Sequence, residues 1–283
     1  MPITIEPISD AVGAQVTGID LCEEMSDKTF KIIHRASLKH QVLVFPGQKL
    51  EEEHQIRFTG RFGELGGRAR NIPTAEGDNV SHPGTMLISN IRKDGKPIGS
   101  LPDGEMMFHS DGAYAKPYRY TLLFALEIPS VGGNTLFANM YKAYEALSDT
   151  LKIQLKECQA KHMYYAGSVL KDKPASDSLS GTRIHPLFIA HEETGRTALY
   201  ASRLLTTRIE EMAPKESDAI LEQLINAAEK SEVIYEHKWT PGDFVMWDNR
   251  CVNHARTDFS EGERRLLRRT TVVGVDPVPA TGN

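Results

Sequence analysis

Several features that mark whole classes of protein are absent from this 283-residue sequence. No run of eighteen apolar residues occurs, so neither a membrane-spanning helix nor a membrane partner is expected. The chain does not open with a charged segment followed by an apolar stretch, which argues against a secretory leader. Its three cysteines, Cys22, Cys158 and Cys251, show no CxxC spacing, so neither a zinc site nor a disulfide framework is predicted. These absences predict a cytoplasmic protein with reduced thiols.

Positive charge is also too sparse for a typical nucleic-acid-binding protein. The chain has 33 Lys and Arg against 38 Asp and Glu, which gives a net charge of −5. Its densest basic stretch is confined to 264–269, so we expect no nucleic-acid partner. Hydrophobic residues make up 40% of the chain, enough for one sizeable core, and no internal repeat is present. We predict a single domain over residues 1–283, with homo-oligomerisation left open.

Short strand patterns separated by turns dominate the chain. Strands are predicted within 3–21 and at 42–45, 86–88, 121–127, 198–201, 233–239, 244–247 and 270–275. Helices are predicted from Ser26 or Asp27 to about Lys39 and, from apolar residues at helical spacing, near 50–62, 147–158 and 214–230. This pattern favours a mainly β fold with α-helical additions, and we predict a double-stranded β-helix, or jelly roll.

Two short stretches, far apart in the chain, supply two histidines and one carboxylate. In His109-Ser-Asp111 the histidine and the aspartate would share one face of a strand, because side chains alternate along a strand. His254 closes the segment that begins at Trp247, about half the chain away. Two histidines and a carboxylate can hold Fe(II) while leaving coordination positions open. Taken alone, a histidine such as His254 is more often an ordinary polar residue than a ligand.

Two polar stretches are placed around these candidate ligands in the sequence: one precedes His109, and the other lies between Asp111 and His254. Residues 66–107 are rich in Gly, Pro, Asn and Asp, and they lead directly to His109. Because a long loop inside a compact domain is usually functional, we predict that this stretch covers the mouth of the site. Residues 171–182 are rich in Ser, Asp, Lys and Gly, and we predict a flexible lid there.

An arginine-rich strand is predicted shortly after the distal histidine. Within 263–274, Arg265 and Arg269 fall on one face, and two further arginines fall on the other. A solvated basic edge strand and a nucleic-acid patch are the alternatives, and the negative net charge disfavours the second. Two arginines on one face suit bidentate binding of carboxylates. The segment therefore predicts a small anionic ligand beside the metal.

Seven motifs spread along the chain carry a family resemblance that goes beyond the ligands. They are Gly13-Ala-Gln-Val-Thr-Gly-Ile-Asp-Leu21, His40-Gln-Val-Leu-Val-Phe45, Arg61-Phe-Gly-Glu64, His109-Ser-Asp111, Gly132-Gly-Asn-Thr135, Trp247 to His254, and Arg265 to Arg269. In this order they resemble the Fe(II)- and 2-oxoglutarate-dependent dioxygenases of the taurine dioxygenase and 2,4-dichlorophenoxyacetate dioxygenase type. The resemblance extends from Ile3 to about Pro277.

The resemblance implies a cupin-like jelly roll and a defined set of cofactors. It implies His109, Asp111 and His254 as the ligands of Fe(II), with 2-oxoglutarate as cosubstrate and O2 as oxidant. It also implies hydroxylation of a small molecule with release of succinate and CO2. If the hydroxylated carbon carried an oxygen substituent, the product would collapse with cleavage of the C–O bond.

The resemblance also assigns the anion-binding residues. Arg265 would bind the distal carboxylate of 2-oxoglutarate, and the Thr135 hydroxyl would donate a hydrogen bond to the same group. Without its Gly-Gly-Asn-Thr context, Thr135 would be an ordinary turn or strand-start residue. Arg269 stands where the family has an arginine that contacts the cosubstrate and often the anion of the prime substrate. Further candidates for the substrate anchor are Lys96, Arg68 and Arg203.

Taurine is not the expected substrate. Taurine dioxygenases have a histidine after the Arg-Phe-Gly-Glu-Leu segment and an asparagine four residues before the first metal histidine. This chain has Gly67-Arg68 and Glu105 at those places. Other motifs look more like the phenoxyacetate type, so we predict an organic carboxylate such as an aryloxyalkanoate. The alternatives are a sulfonate or alkyl-sulfate dioxygenase of the same family, a non-catalytic anion-binding β-barrel, and a cofactor-independent metal dioxygenase.

Overall fold

The structure is a computed structural model that describes residues 2–67, 82–101, 104–165 and 179–280. Its helices are α1 (Asp27–His40), α2 (Glu52–Gly60), α3 (Met140–Glu145), α4 (Asp149–Leu155) and α5 (Pro214–Ala228). Its strands are β1 (Thr4–Pro7), β2 (Ala14–Thr17), β3 (Val42–Phe45), β4 (Thr85–Ser89), β5 (Arg92–Lys93), β6 (Lys96–Pro97), β7 (Met106–His109), β8 (Tyr118–Glu127), β9 (Thr135–Asn139), β10 (Gln159–Tyr165), β11 (Leu179–Pro186), β12 (Phe188–Ala190), β13 (Thr197–Leu199), β14 (Thr206–Ile209), β15 (Ile234–His237), β16 (Phe244–Asp248), β17 (Val252–Arg256), β18 (Leu266–Val273) and β19 (Val278–Pro279). None of the described helices has the length and apolar character needed to cross a membrane.

Two sheets dominate the fold. The larger has seven strands in the order β1-β2-β3-β16-β8-β18-β4 and is antiparallel apart from the β2–β3 pair. The smaller has four antiparallel strands in the order β15-β9-β17-β7. Strands distant in sequence are neighbours in both sheets, as in a jelly roll. The predicted mainly β fold with α-helical additions is confirmed.

Strand β16 shows why the central strands read as continuous apolar runs. Its side chains alternate between two hydrophobic clusters: Phe244 and Met246 pack with residues of α1 and α2. Val245 and Trp247 pack in the cluster that includes the smaller sheet, where the Trp247 ring lies 5.3 Å from that of Phe137. All residues of β16 are buried, because a strand covered on both faces has no solvent side.

Two of the predicted helices, α1 and α4, begin after a serine whose hydroxyl caps the helix. The Ser26 hydroxyl accepts a hydrogen bond from the Thr29 N–H at 3.2 Å and begins α1, as predicted. The helix predicted over 147–158 is shorter than expected. It begins after Ser148, whose hydroxyl caps α4, and it ends at Leu155. Helix α3, which begins after the cap residue Asn139, was not predicted.

The two polar stretches contain more regular structure than their composition suggests. Within 66–107, residues 68–81 and 102–103 lie outside the described residues, and the rest includes β4, the β5–β6 hairpin and the start of β7. For the predicted lid, residues 171–178 lie outside the described part of the chain. The lid prediction is wrong for 179–182, which begin β11 and pair with β10. Pairing with a neighbouring strand here outweighs a polar, turn-like sequence.

Candidate active site

The near half of the predicted metal site lies at the end of β7. His109 is the last residue of that strand, and Asp111 lies in the turn that follows. The premise that both residues belong to one strand is therefore wrong, although the turn still brings the two side chains together. His109 Nε2 lies 3.8 Å from Asp111 Oδ1. His109 Nδ1 lies 3.0 Å from the carbonyl oxygen of Met107, which requires the proton on Nδ1 and leaves the Nε2 lone pair directed to the site.

Sheet register brings the distal histidine to the same point. Strand β17 lies between β9 and β7, and its residue His254 pairs directly with His109 of β7. The two imidazole rings have centroids 4.1 Å apart. His254 Nε2 lies 4.0 Å from Asp111 Oδ2. One ligand atom from each of the three residues lies within 4.8 Å of the others, so a single metal ion can contact all three.

The protonation states of the three groups suit a metal ion. Burial, followed by the nearby His109, lowers the pKa of His254 to about 3, and burial also lowers the pKa of His109. Burial alone would raise the pKa of Asp111, but Arg269 and the two histidines outweigh it and lower the pKa to about 2. The site therefore holds two neutral imidazoles and one ionised carboxylate near neutral pH. Such a donor set fits Fe(II), since neither imidazole nitrogen must first lose a proton.

The two predicted anion-binding arginines lie at different depths of the site. Arg269 is close to the predicted metal ligands, with Nη1 at 3.6 Å from Asp111 Oδ1. Arg265 is only 2% exposed, and its Nε donates to the carbonyl oxygen of Gly133 at 3.1 Å. Both side chains line one cavity together with His254, which confirms that they share a face. Arg265 precedes β18 rather than belonging to it.

Arg265 is a buried cation that forms no ion pair with a carboxylate in the described part of the chain. Burial, followed by the nearby Arg256 guanidinium, lowers the pKa of Arg265 to about 9. Gly133 makes this arrangement possible, because it has φ +65° and a Cβ there would lie 3.2 Å from Arg265 Nε. A buried guanidinium beside a second cation is costly unless an anion occupies the space in front of it.

The Thr135 hydroxyl is oriented by a residue that the sequence did not point to. Thr135 is the first residue of β9 and is 3% exposed. Its Oγ1 accepts a hydrogen bond from Trp239 Nε1 at 3.0 Å. Because the indole N–H can only donate, the hydroxyl hydrogen of Thr135 remains available to an acceptor in the cavity. A tryptophan more than 100 residues away leaves no local sequence signal for this role.

The cavity that contains these groups has a volume of about 150 Å³. Its polar groups include the predicted ligands, the arginines and Thr135, whereas much of the remaining wall is apolar or aromatic, including Met86, Ile88 and Leu205. The rings of Tyr114 and Tyr164 form part of this wall with centroids 4.9 Å apart. Met86, Ile88, Ser100 and Leu101 belong to the polar stretch 66–107 and line the cavity. The described part of that stretch therefore borders the candidate site.

Two of the other predicted substrate anchors, Lys96 and Arg203, do not reach the cavity. Lys96 is exposed on the β5–β6 hairpin and is not part of the cavity lining. Arg203 is paired with Glu229 at 2.8 Å and with Glu222 at 3.4 Å, also away from the cavity. Arg68 lies outside the described residues. The structure thus brings together the three predicted metal ligands, Thr135, Arg265 and Arg269, but not Lys96.

A second group of potential ligands, His191, Asp248 and Cys251, lies buried elsewhere. Both carboxylate oxygens of Asp248 are already bonded to Arg250, with Nε–Oδ1 at 2.8 Å and Nη2–Oδ2 at 2.6 Å. His191 Nε2 adds a contact to Oδ2 at 3.0 Å. A carboxylate paired with a bidentate guanidinium has its charge compensated, so this cluster is structural.

Known proteins resemble this chain over nearly its whole length. A family model described as "Taurine catabolism dioxygenase TauD, TfdA family" matches residues 4–271. The chain is 35% identical over 288 residues to the (S)-phenoxypropionate/alpha-ketoglutarate-dioxygenase of Sphingobium herbicidovorans, covering 98% of this chain and 96% of that protein. It is 35% identical over 297 residues to the pentalenolactone F synthase of Streptomyces avermitilis, covering 98% and 95%.

A solved structure gives the same relationship at the level of the fold. The crystal structure of AAD-2 in complex with Mn(II) and N-oxalylglycine matches with a TM-score of 0.81 and 29% identity, covering 98% of each chain. Together with the His-Asp-His cluster and the buried arginine that has no carboxylate partner among the described residues, these similarities confirm the resemblance found in the motifs. The chain belongs to the TauD/TfdA family and is a dioxygenase that depends on Fe(II), 2-oxoglutarate and O2.

Proposed function

We propose that His109, Asp111 and His254 hold the Fe(II) ion of this dioxygenase. The proposal is supported by their convergence within 4.8 Å, by the His109 tautomer that directs Nε2 to the site, and by the ionised state of Asp111. Bound Fe(II), with 2-oxoglutarate and O2, supplies the oxidation of a C–H bond while the cosubstrate is converted to succinate and CO2. The protein's own contribution is to position both substrates and exclude water.

We propose that Arg265 and Thr135 bind the distal carboxylate of 2-oxoglutarate. The observation that carries this assignment is the buried Arg265 guanidinium, which has no carboxylate partner among the described residues. A planar guanidinium and a hydroxyl whose hydrogen is free would together give a carboxylate charge-assisted hydrogen bonds. N-oxalylglycine, bound in the AAD-2 structure, carries the same oxalyl and distal carboxylate groups as 2-oxoglutarate.

We propose that the prime substrate is a small organic carboxylate with an apolar or aromatic body. Arg269 offers a cation at the metal end of the cavity, 3.6 Å from Asp111, where it would hold the substrate anion or the near end of 2-oxoglutarate. Tyr114 and Tyr164 offer an aromatic wall on which a ring can pack. A relative at 35% identity is named for phenoxypropionate. An aryloxyalkanoate fits this combination, and hydroxylation next to its ether oxygen would lead to C–O cleavage.

The test has two stages. The first is calorimetric titration of the Mn(II)-loaded protein with 2-oxoglutarate under anaerobic conditions, which should show binding that requires the metal. The second is succinate release from the Fe(II) enzyme in air with matched aryloxyalkanoates, alkyl sulfates and alkyl sulfonates. Release stimulated by the aryloxyalkanoates supports the proposal, whereas stimulation only by the sulfur compounds would favour the family alternative. Metal-dependent binding without release stimulated by any of the three compound classes would refute the proposed substrate class.

Several broader expectations remain proposals. We propose that the chain acts as one domain over residues 1–283 and as a cytoplasmic protein without nucleic-acid or membrane partners. The net charge of −5 supports the absence of a nucleic-acid partner. Homo-oligomerisation stays open.

A further inference from the structure

One buried asparagine joins the turn before β17 to the segment that carries Asp111. Asn249 lies in the turn between β16 and β17, just before the strand that carries His254, and is 2% exposed. The backbone carbonyl oxygen of Asn249 accepts a hydrogen bond from the Ser110 hydroxyl at 2.9 Å. The side-chain Oδ1 of Asn249 accepts one from the backbone N–H of Asp111 at 3.2 Å. The turn before β17 is therefore bonded to the segment that carries Asp111.

The orientation of this amide follows from its partners. Besides the Asp111 N–H, the Trp247 indole Nε1 donates to Asn249 Oδ1 at 3.1 Å. Both partners are N–H groups that can only donate, so the oxygen of the amide must face them. The NH2 group of Asn249 then faces Thr121, whose Oγ1 lies 2.9 Å from Nδ2.

This orientation determines where the Thr121 hydrogen goes. Because Nδ2 can only donate, Thr121 Oγ1 is the acceptor in that contact. The single hydroxyl hydrogen of Thr121 is then directed to Asp111 Oδ2, at 2.7 Å. Thr121 is 1% exposed and lies on β8, opposite Trp247 of β16, so water does not compete for these bonds. Oδ2 is thus engaged by Thr121, while Oδ1 lies 3.8 Å from His109 Nε2 and 3.6 Å from Arg269 Nη1, beyond hydrogen-bond distance of either.

We propose that Asn249 and Thr121 are positioning residues that hold Asp111 in the rotamer needed for metal binding. The relay Asn249–Thr121–Asp111 occupies one carboxylate oxygen with a charge-assisted hydrogen bond and leaves the other for the metal. This inference rests on the proposed role of Asp111 as a ligand. Partners that orient metal ligands in this way typically contribute about 10- to 100-fold to metal affinity or activity.

The test compares Thr121→Val, Thr121→Ser and Thr59→Val. Valine matches threonine in shape and lacks only the hydroxyl, whereas serine keeps the hydroxyl. Thr59 provides the matched control, because it is a fully buried threonine of α2 whose hydroxyl bonds to Gln55 and Thr270, away from the cavity. The measurements are the Kd for Mn(II), from the electron paramagnetic resonance signal of free Mn(II), and the thermal unfolding temperature of the metal-free protein.

We expect Thr121→Val to raise the Kd for Mn(II) about 10- to 100-fold, with Thr121→Ser close to wild type and Thr59→Val without effect on the Kd. A wild-type Kd for folded Thr121→Val would overturn the relay while leaving the proposed function intact. An equal rise for Thr59→Val would also overturn it, because the effect would then reflect general destabilisation. Failure of the wild-type chain to bind Mn(II) would instead refute the proposed metal site itself.

Discussion

The replacement Arg265→Met separates cosubstrate binding from folding. Methionine is unbranched, flexible and uncharged, and its volume is close to that of arginine, so it removes the guanidinium without leaving a large cavity. Arg265 is 2% exposed, and burial and the nearby Arg256 lower its pKa. The charged guanidinium therefore destabilises the folded protein when no anion is bound beside it. We therefore expect the unfolding temperature of the ligand-free protein to stay the same or rise.

The affinity of Arg265→Met for 2-oxoglutarate, by contrast, should fall. A hydrogen bond to a charged group contributes about 1.5–3 kcal/mol, which corresponds to a loss of roughly 10- to 150-fold in affinity. The assay is calorimetric titration of the Mn(II)-loaded protein with 2-oxoglutarate, beside the melting temperature of each variant without ligand. Arg264→Met is the matched control, because the adjacent Arg264 is largely exposed and pairs with Glu127 at 2.6 Å.

Two binding results and one stability result would each refute a part of this reasoning. One is an unchanged affinity for 2-oxoglutarate in Arg265→Met, which would mean that another group binds the distal carboxylate. The other is an equal loss of affinity in Arg264→Met, which would show that the effect comes from the local charge rather than from the buried guanidinium. A strongly lowered melting temperature of Arg265→Met would contradict the electrostatic part of the argument.

Three further predictions concern the metal ligands, the substrate anion and the pH dependence of folding. Alanine at any one of the three predicted ligands should abolish iron-dependent turnover while leaving the circular dichroism spectrum unchanged; near-normal turnover would exclude that residue as a ligand. Arg269→Ala should uncouple the reaction if Arg269 anchors the substrate, so the ratio of hydroxylated product to succinate should fall, whereas an unaltered ratio and substrate KM would leave Arg269 with the cosubstrate alone. Burial lowers the pKa of His162 to about 3. Between about pH 6.5 and about pH 3 only the unfolded chain therefore takes up this proton, so the free energy of unfolding should fall as the pH falls, by up to about 1.4 kcal/mol per pH unit. Urea unfolding of His162→Gln near neutral pH and at about pH 5 should show a smaller loss than wild type, and an identical loss would assign the pH dependence to other groups.

The sequence by itself pointed to the chemical groups of the candidate site, because several of them occur in short motifs. His109 and Asp111 are two positions apart, so local geometry alone keeps their side chains near one another, even though the strand ends between them. Arg265 and Arg269 are four positions apart, and alternation along an extended chain places both on one face. The resemblance of the complete set of motifs then led to the family, the cofactors and the fold.

Only the tertiary structure decided how these groups are oriented and which of them reach the cavity. The pairing of His254 with His109 depends on the register of β17 against β7, and the Thr135 hydroxyl is oriented by Trp239. Lys96 carries the right charge in the sequence but lies outside the cavity. The physical reason is that these contacts join residues distant along the chain. Sequence patterns report a residue's type and its local periodicity, whereas hydrogen-bond direction and burial depend on which strands the fold brings side by side.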